Sequence, residues 1–192
     1  MTRPEIGILG GSFDPPHVGH VLASMNAMIG CGLSRVLWVP VRAHPFGKES
    51  SPYPTRVQMA VETVLDIDAI DVVWSFEKDF PNTALEQTRY IRKLYPTAIL
   101  DWIIGSDIAT ELELWAGSRE LREITRFIVI KRDEEREVYP EGFDVRYLPV
   151  GVSRCSSTSI RAKCSTGAPI DGLVHPTVLD TIRFKELYKK KQ

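Results

Sequence analysis

Apolar positions along this chain switch repeatedly between two periods. Residues 6–9 form a short apolar run that reads as a buried strand. From residue 18 the apolar positions Val18, Val21, Leu22, Met25, Met28 and Ile29 recur at spacings of three and four. That spacing predicts an amphipathic helix over 18–29, which Gly30 and Gly32 would stop. A second strand is predicted over 35–40, with Pro40 marking its exit, and a helix over 55–65 with Val57, Ala60, Val61, Val64 and Leu65 on one face. A strand over 70–76 and a helix over 84–95 follow, the helix opened by Thr83 and Glu86 at capping-box spacing. Residues 98–104 are almost continuously apolar, as in the middle of a parallel sheet. Beyond them the pattern predicts a helix carrying Leu112, Leu114 and Trp115, and another from about Ser118. Strands over 127–131 and 145–148, a short helix over 155–161 and a last helix over 177–188 complete it. Residues 41–54 show no clear period, and 133–142 are charged, as in an exposed connection. Alternating strands and helices predict an α/β fold with a doubly wound parallel sheet. One domain over 1–192 is expected, its core at about 4–150 and a small helical part at 151–192. In such a sheet ligands bind beyond the C-terminal ends of the strands, near the switch in strand order.

Composition narrows the function more than the fold. The 192 residues are 43% hydrophobic and 26% charged, with a formal net charge of −1. That balance gives no electrostatic case for binding nucleic acid or a membrane surface, and Lys189, Lys190 and Lys191 read as a solvated tail. No apolar run approaches the roughly 18–20 residues of a membrane span. The N-terminus lacks a signal-peptide pattern, since Arg3, Pro4 and Glu5 precede only a short strand. Cys31, Cys155 and Cys164 are odd in number and at no metal spacing, as expected of free thiols in a reducing compartment. The expectation is a cytoplasmic protein that binds something small and anionic, with homo-oligomer formation left open.

The candidate chemistry centres on residues 10–20, GGSFDPPHVGH. This is a strand, a glycine-turned loop and a helix whose first turn carries His17 and His20. Three residues apart on a helix, the histidines share a face. They lie where unpaired backbone N–H groups and the helix dipole favour an anion. Gly10, Gly11 and Gly19 let a ligand approach the backbone closely. Zinc ligation by the histidine pair is the other sharp reading, but no third ligand lies nearby. A second element, Ser156, Ser157, Thr158, Ser159, Ile160 and Arg161, places hydroxyls at a helix start and an arginine one turn on. Hydroxyls there are usually caps, but the arginine could reach phosphate oxygens from the same end. Two such helix starts could clamp one triphosphate between them.

At these residues the chain resembles a known family. GxFDPxHxGH followed by SSTxIR is the signature of the nucleotidyltransferases that share HxGH with class I aminoacyl-tRNA synthetases. Within that group the chain resembles the bacterial nicotinate-nucleotide adenylyltransferases. The supporting residues are 10–20, Val39 and Pro40, Arg56 with Met59, Ile104 to Asp107, Trp115, and 156–161, in the family's order and over nearly the whole chain. The resemblance implies a Rossmann-like nucleotidyltransferase fold that moves AMP from ATP to nicotinate mononucleotide, with Mg²⁺ carried by ATP rather than by a protein metal site. It implies that Gly10, Gly11, Ser12 and Phe13, with His17 and His20, hold ATP phosphates, and that Ser156, Ser157 and Arg161 hold them from the other side. It assigns Gly105 and Asp107 to the ATP nucleoside, Trp115 to the pyridine ring, the neighbourhood of Thr83 to its carboxylate, and Lys48 to a basic position on a loop.

Several of these residues also have plain structural readings. Thr83 is explained as a helix cap and Trp115 as core, His44 reads as a loop residue, and Arg56 suits an ion pair in the fold as well as a phosphate. The chain departs from the family pattern at Asn82, where an aromatic is common, and at Asp133 to Glu135, where Pro-Gly usually follows the arginine. Cys155 replaces an aliphatic residue, and 44–48 is not the commonest loop form. Asn82 and the 44–48 loop leave the acceptor open between nicotinate mononucleotide, nicotinamide mononucleotide and another nucleotide. Phosphopantetheine is the acceptor of a sister activity, against which Trp115 and the chain length argue. A synthetase fragment would need a lysine-rich loop that is missing, and a non-catalytic ATP sensor is the reading from a different class.

Overall fold

The computed structural model describes residues 3–42, 50–131, 137–149 and 155–190. Six strands form one sheet: β1 (Glu5–Gly11), β2 (Arg35–Pro40), β3 (Ile70–Val72), β4 (Ile99–Gly105), β5 (Arg126–Ile130) and β6 (Val145–Leu148). All neighbours pair in parallel, in the order β3-β2-β1-β4-β5-β6. The order reverses between β1 and β4, so the loops after those two strands flank the crevice at the switch point. The helices are α1 (Val18–Cys31), α2 (Tyr53–Val64), α3 (Ala84–Leu94), α4 (Ser106–Ala109), α5 (Ser118–Ile124), α6 (Ser157–Thr166) and α7 (Pro176–Phe184), with a 3₁₀ turn at Leu112–Leu114.

The continuously apolar strands are explained by burial on both faces. Leu37, Val39, Leu100, Trp102, Ile104, Phe127 and Val129 pack on one side with Ile91, Leu112 and Leu121. Their neighbours Val36, Trp38, Ile103, Ile128 and Ile130 pack on the other with Ala27, Ala60 and Val64. The side-chain period of two sorts each strand cleanly between the layers. A third cluster, with Met59, Ile160, Ile170, Val174, Val178 and Ile182, joins α2, α6 and α7.

The boundaries differ from the sequence pattern in instructive ways. Gly32, at φ 70°, is the left-handed residue that ends α1. Gly30 lies inside that helix, where a Cβ would sit 2.8 Å from the Leu148 side chain. Strand β3 stops at Val72 because it is an edge strand, although Val73 N–H still reaches Trp38 O at 2.8 Å. Helix α2 begins two residues early, at Tyr53. Pro54 falls in its first turn, where the missing N–H costs nothing. Helix α6 starts at Ser157, so Cys155 lies before it, and Trp115 lies just past the 3₁₀ turn. Among the described residues no helix is long and apolar enough to cross a membrane.

Candidate active site

Strand β1 delivers the chain into the loop before α1, and that loop is rigidly specified. His17 caps α1: its Nδ1 accepts from Gly19 N–H at 3.1 Å. His20 Nδ1 accepts from His17 N–H at 3.2 Å, completing a reciprocal box made of two histidines. An Nδ1 that accepts carries no proton, so both rings are neutral and hold their proton on Nε2. The rings lie 3.9 Å apart. A Cβ on Gly19 would come within 2.9 Å of the His17 ring, so only glycine admits this cap.

Behind the histidines stands a buried aromatic column. Phe13 stacks on Trp38 at 4.8 Å and leans on His20 at 4.9 Å. Phe13 has φ 49°, a left-handed conformation that costs a non-glycine residue about 1 kcal/mol. The residue is 1% exposed, so packing offsets the strain and its ring is not available to a ligand. Trp38 Nε1–H donates to Ser24 Oγ at 2.8 Å, and Ser24 donates to His20 O at 3.0 Å. Gly10 passes beneath Trp102, whose ring a Cβ would meet at 2.8 Å.

Helix α6 comes to the same loop from more than 140 residues away. Ser157 Oγ–H donates to Pro15 O at 2.8 Å, and Arg161 Nη1–H donates to Asp14 O at 2.7 Å. A second Arg161 N–H reaches Thr158 Oγ1 at 3.2 Å. Ser156 is the N-cap, accepting from Ser159 N–H at 3.1 Å. Cys155 is also drawn in: its carbonyl would lie 3.3 Å from a Cβ on Gly19, and burial pushes its thiol pKa upward. The two helix starts singled out in the sequence therefore meet at Asp14 and Pro15.

Arg56 takes neither role weighed for it. It is 1% exposed, and its guanidinium donates to the carbonyls of Ser12, Val41, Arg42 and Ser51 at 2.6–3.0 Å. Burial lowers its pKa, opposed by the nearby charge of Asp14. It pins the loop after β1 to both ends of the segment between Arg42 and Ser51. Lys48 and His44 lie outside the described residues.

The loops after β3 and β4 hold the remaining candidates. Asp107 is exposed in the first turn of α4, with Gly105 as its N-cap. The Thr83 hydroxyl accepts from Glu86 N–H, while Glu86 Oε2 accepts from the N–H groups of Thr83 and Asn82 at 3.0 and 3.2 Å. Those bonds hold the Glu86 carboxyl below its ordinary pKa. Asn82 Oδ1 accepts from Arg42 N–H at 2.9 Å, tying the loops after β2 and β3 together. Trp115 is half-buried, edge-on to Trp102 at 5.9 Å and Phe127 at 6.4 Å. A Cβ on Gly117 would strike the Leu85 side chain at 2.3 Å, so the Trp115 loop adjoins the start of α3 that Thr83 caps. Among the described residues there is no group of three or more His, Cys, Asp or Glu side chains able to hold a metal ion.

Nothing in the sequence marks Tyr188, whose hydroxyl donates to Asp14 Oδ1 at 2.6 Å, because it stands in a charged tail. Arg56 is named through the resemblance, but its burial among carbonyls has one signal, a charge beside the apolar face of an amphipathic helix.

Comparison with known proteins agrees with this arrangement. The profile of the cytidylyltransferase-like family matches residues 8–163. A protein of Anaeromyxobacter dehalogenans named as a probable nicotinate-nucleotide adenylyltransferase is 31% identical over 189 residues, covering 96% of this chain and 97% of its own. One of the same name from Opitutus terrae is 32% identical over 200 residues, covering 98% and 100%. The fold matches that of Plasmodium falciparum nicotinic acid mononucleotide adenylyltransferase complexed with NaAD, with a TM-score of 0.77 at 20% identity and coverage of 97% and 98%. The chain belongs to the cytidylyltransferase-like family and, within it, stands with the nicotinate-nucleotide adenylyltransferases.

Proposed function

We propose that this protein transfers AMP from ATP to nicotinate mononucleotide, forming nicotinate adenine dinucleotide and pyrophosphate in NAD biosynthesis in the cytoplasm. The observation that carries the ATP half is the meeting of the α1 and α6 starts at Asp14 and Pro15. The acceptor follows from the relatives that match over nearly their whole length.

In this reaction a phosphate oxygen of the mononucleotide attacks the α-phosphorus of ATP. The bond from that phosphorus to the bridging oxygen breaks in line, and pyrophosphate leaves with the electron pair. The nucleophile is already ionised near neutral pH, so no strong base is required. Catalysis is positioning and stabilisation of charge, as in phosphoryl transfer generally. His17 and His20 supply neutral Nε2–H donors to the phosphates, fixed in that tautomer by their mutual cap. The backbone at Gly10, Gly11, Ser12 and Phe13 lies against the same phosphates. Ser156 and Ser157 face them at the start of α6. Arg161 uses two of its five N–H donors within the protein; the others serve the departing pyrophosphate, whose charge Lys48 is assigned to help offset. Magnesium enters as the ion of the MgATP substrate, held by phosphate and water oxygens. Gly105 and Asp107 receive the nucleoside. Trp115, backed by Trp102 and Phe127, offers a ring face to the pyridine, and the start of α3 at Thr83 meets its carboxylate.

Pyrophosphate release from MgATP across nicotinate mononucleotide, nicotinamide mononucleotide and phosphopantetheine tests this. Release with nicotinate mononucleotide in preference to the others is expected. Preference for nicotinamide mononucleotide overturns the acceptor, and no release with any of them overturns the enzyme reading.

A further inference from the structure

Three non-glycine residues among those described have positive φ: Phe13 at 49°, Glu186 at 53° and Tyr188 at 63°. A left-handed conformation at such residues persists only where the surroundings over-determine it, and it points to function. All three adjoin a single hydrogen bond. Phe13 precedes Asp14, and Tyr188, two residues after Glu186, donates its hydroxyl to Asp14 Oδ1 at 2.6 Å.

The Asp14 side is a buried carboxylate, 3% exposed, with one protein donor on each oxygen. Tyr188 serves Oδ1, and Ser51 N–H serves Oδ2 at 3.1 Å. The backbone carbonyl of the same residue holds Arg161 at 2.7 Å. The Tyr188 side is built to deliver the phenol. After α7 the chain turns back through Leu187 N–H to Ile182 O at 3.0 Å and Glu186 N–H to Arg183 O at 3.2 Å. Lys185 Nζ fastens the turn to α2 at Gln58 Oε1, 3.2 Å away. Leu187 and the Tyr188 ring pack against the cluster of Met59 and Ile160. Burial, with the Asp14 charge beside it, pushes the phenol pKa far above its ordinary value, so the hydroxyl keeps its proton and acts as donor.

We propose that Tyr188 is a positioning residue of the ATP-phosphate site: by holding the Asp14 carboxylate, the C-terminal segment sets the Asp14 backbone and thereby Arg161 and the loop before α1. The inference rests on the reading of that loop as the ATP-phosphate site. Without the hydroxyl, Oδ1 of a buried carboxylate loses its donor. The carboxylate must then turn toward another one, and the carbonyl that holds Arg161 turns with it. The acceptor loops at Thr83 and Trp115 touch none of these groups, so the effect falls on ATP.

Tyr188→Phe keeps the ring and removes only the hydroxyl. The calorimetric Kd for MgATP without acceptor is expected to weaken about tenfold, the scale of one lost hydrogen bond to a charged group. The steady-state KM for ATP should rise in parallel, while the KM for nicotinate mononucleotide stays within about twofold. Leu179→Ala removes packing from the same cluster on α7, outside the segment that delivers the phenol, and it should lower the melting temperature while leaving ATP affinity within about twofold. An unchanged Kd in Tyr188→Phe overturns the inference. So does an equal loss of ATP affinity in Leu179→Ala, because packing alone would then explain it. Failure of the wild type to release pyrophosphate with any acceptor overturns the proposed function instead, and the Kd comparison still decides the role of Tyr188.

Discussion

The two ends of the sheet use arginine in opposite ways. At the N-terminal end, Arg126 forms a fork on Asp101 with two bonds of 2.8 Å and also reaches Glu5. Asp101 is 3% exposed, and its hydrogen bonds raise the Arg126 pKa. One guanidinium faces two carboxylates there, so the local balance is negative and does not attract a further anion. At the C-terminal end, Arg161 lies on the backbone carbonyl of Asp14 and keeps further N–H donors. A carbonyl orients a guanidinium without neutralising it. The histidines there are held as neutral donors by backbone N–H groups, Gly19's on His17 and His17's on His20. The same residue type closes one end of the molecule and leaves the other able to receive phosphate.

If the two ends are specialised in this way, mutations should separate stability from activity. Arg126→Met strands a buried Asp101 carboxylate and should cost about 3 kcal/mol of stability, while kcat of the folded protein stays within about twofold. Urea denaturation and kinetics on one preparation check both halves; a matching fall in kcat would show that the ends are coupled. His20→Ala should do the reverse. One lost transition-state donor lowers kcat by roughly 10²-fold, while the lost half of the histidine cap costs about 1 kcal/mol. An unfolded variant would make His20 a structural residue.

Thr83→Ala sharpens the comparison within the upper end. Loss of the cap should cost about 1 kcal/mol. A rise in KM for the mononucleotide alone would add a substrate role, and an unchanged KM would leave Thr83 as a cap. The partner of that cap has a pH signature. Glu86 is held below its ordinary pKa, so its stabilisation is present above the usual glutamate range and fades as pH falls through the depressed value. Thermal melts of wild type and Glu86→Ala should therefore converge at low pH. The smallest effect belongs to an exposed pair: Glu120→Gln, which loosens the Arg89 bridge, should move stability by no more than about 0.5 kcal/mol.

Much of this architecture could be read from periodicity. Residues 35–40 and 145–148 were predicted with the observed limits, because short apolar runs bounded by polar or proline residues leave little choice. Thr83 and Glu86 form the predicted capping box, since that motif is local in sequence. The glycines and histidines of 10–20 and the hydroxyls of 156–161 pointed to one site, and the fold brings them together. What escaped was either non-local or disguised. Tyr188 contacts Asp14 across 174 residues, and nothing in a lysine-rich tail marks it. Arg56 is buried by carbonyls, which a sequence does not display as partners. The histidines read as phosphate-binding residues at a helix start, and only the hydrogen-bond geometry makes them a reciprocal cap as well.

The central claim is that the paired starts of α1 and α6 hold ATP for transfer of its AMP to nicotinate mononucleotide. Phosphorus NMR of the purified protein with MgATP and nicotinate mononucleotide reads it most directly. The account predicts pyrophosphate and a dinucleotide diphosphate in one-to-one ratio, with both signals suppressed about 10²-fold in His20→Ala. ADP with inorganic phosphate, or a dinucleotide formed equally well by the variant, would contradict it.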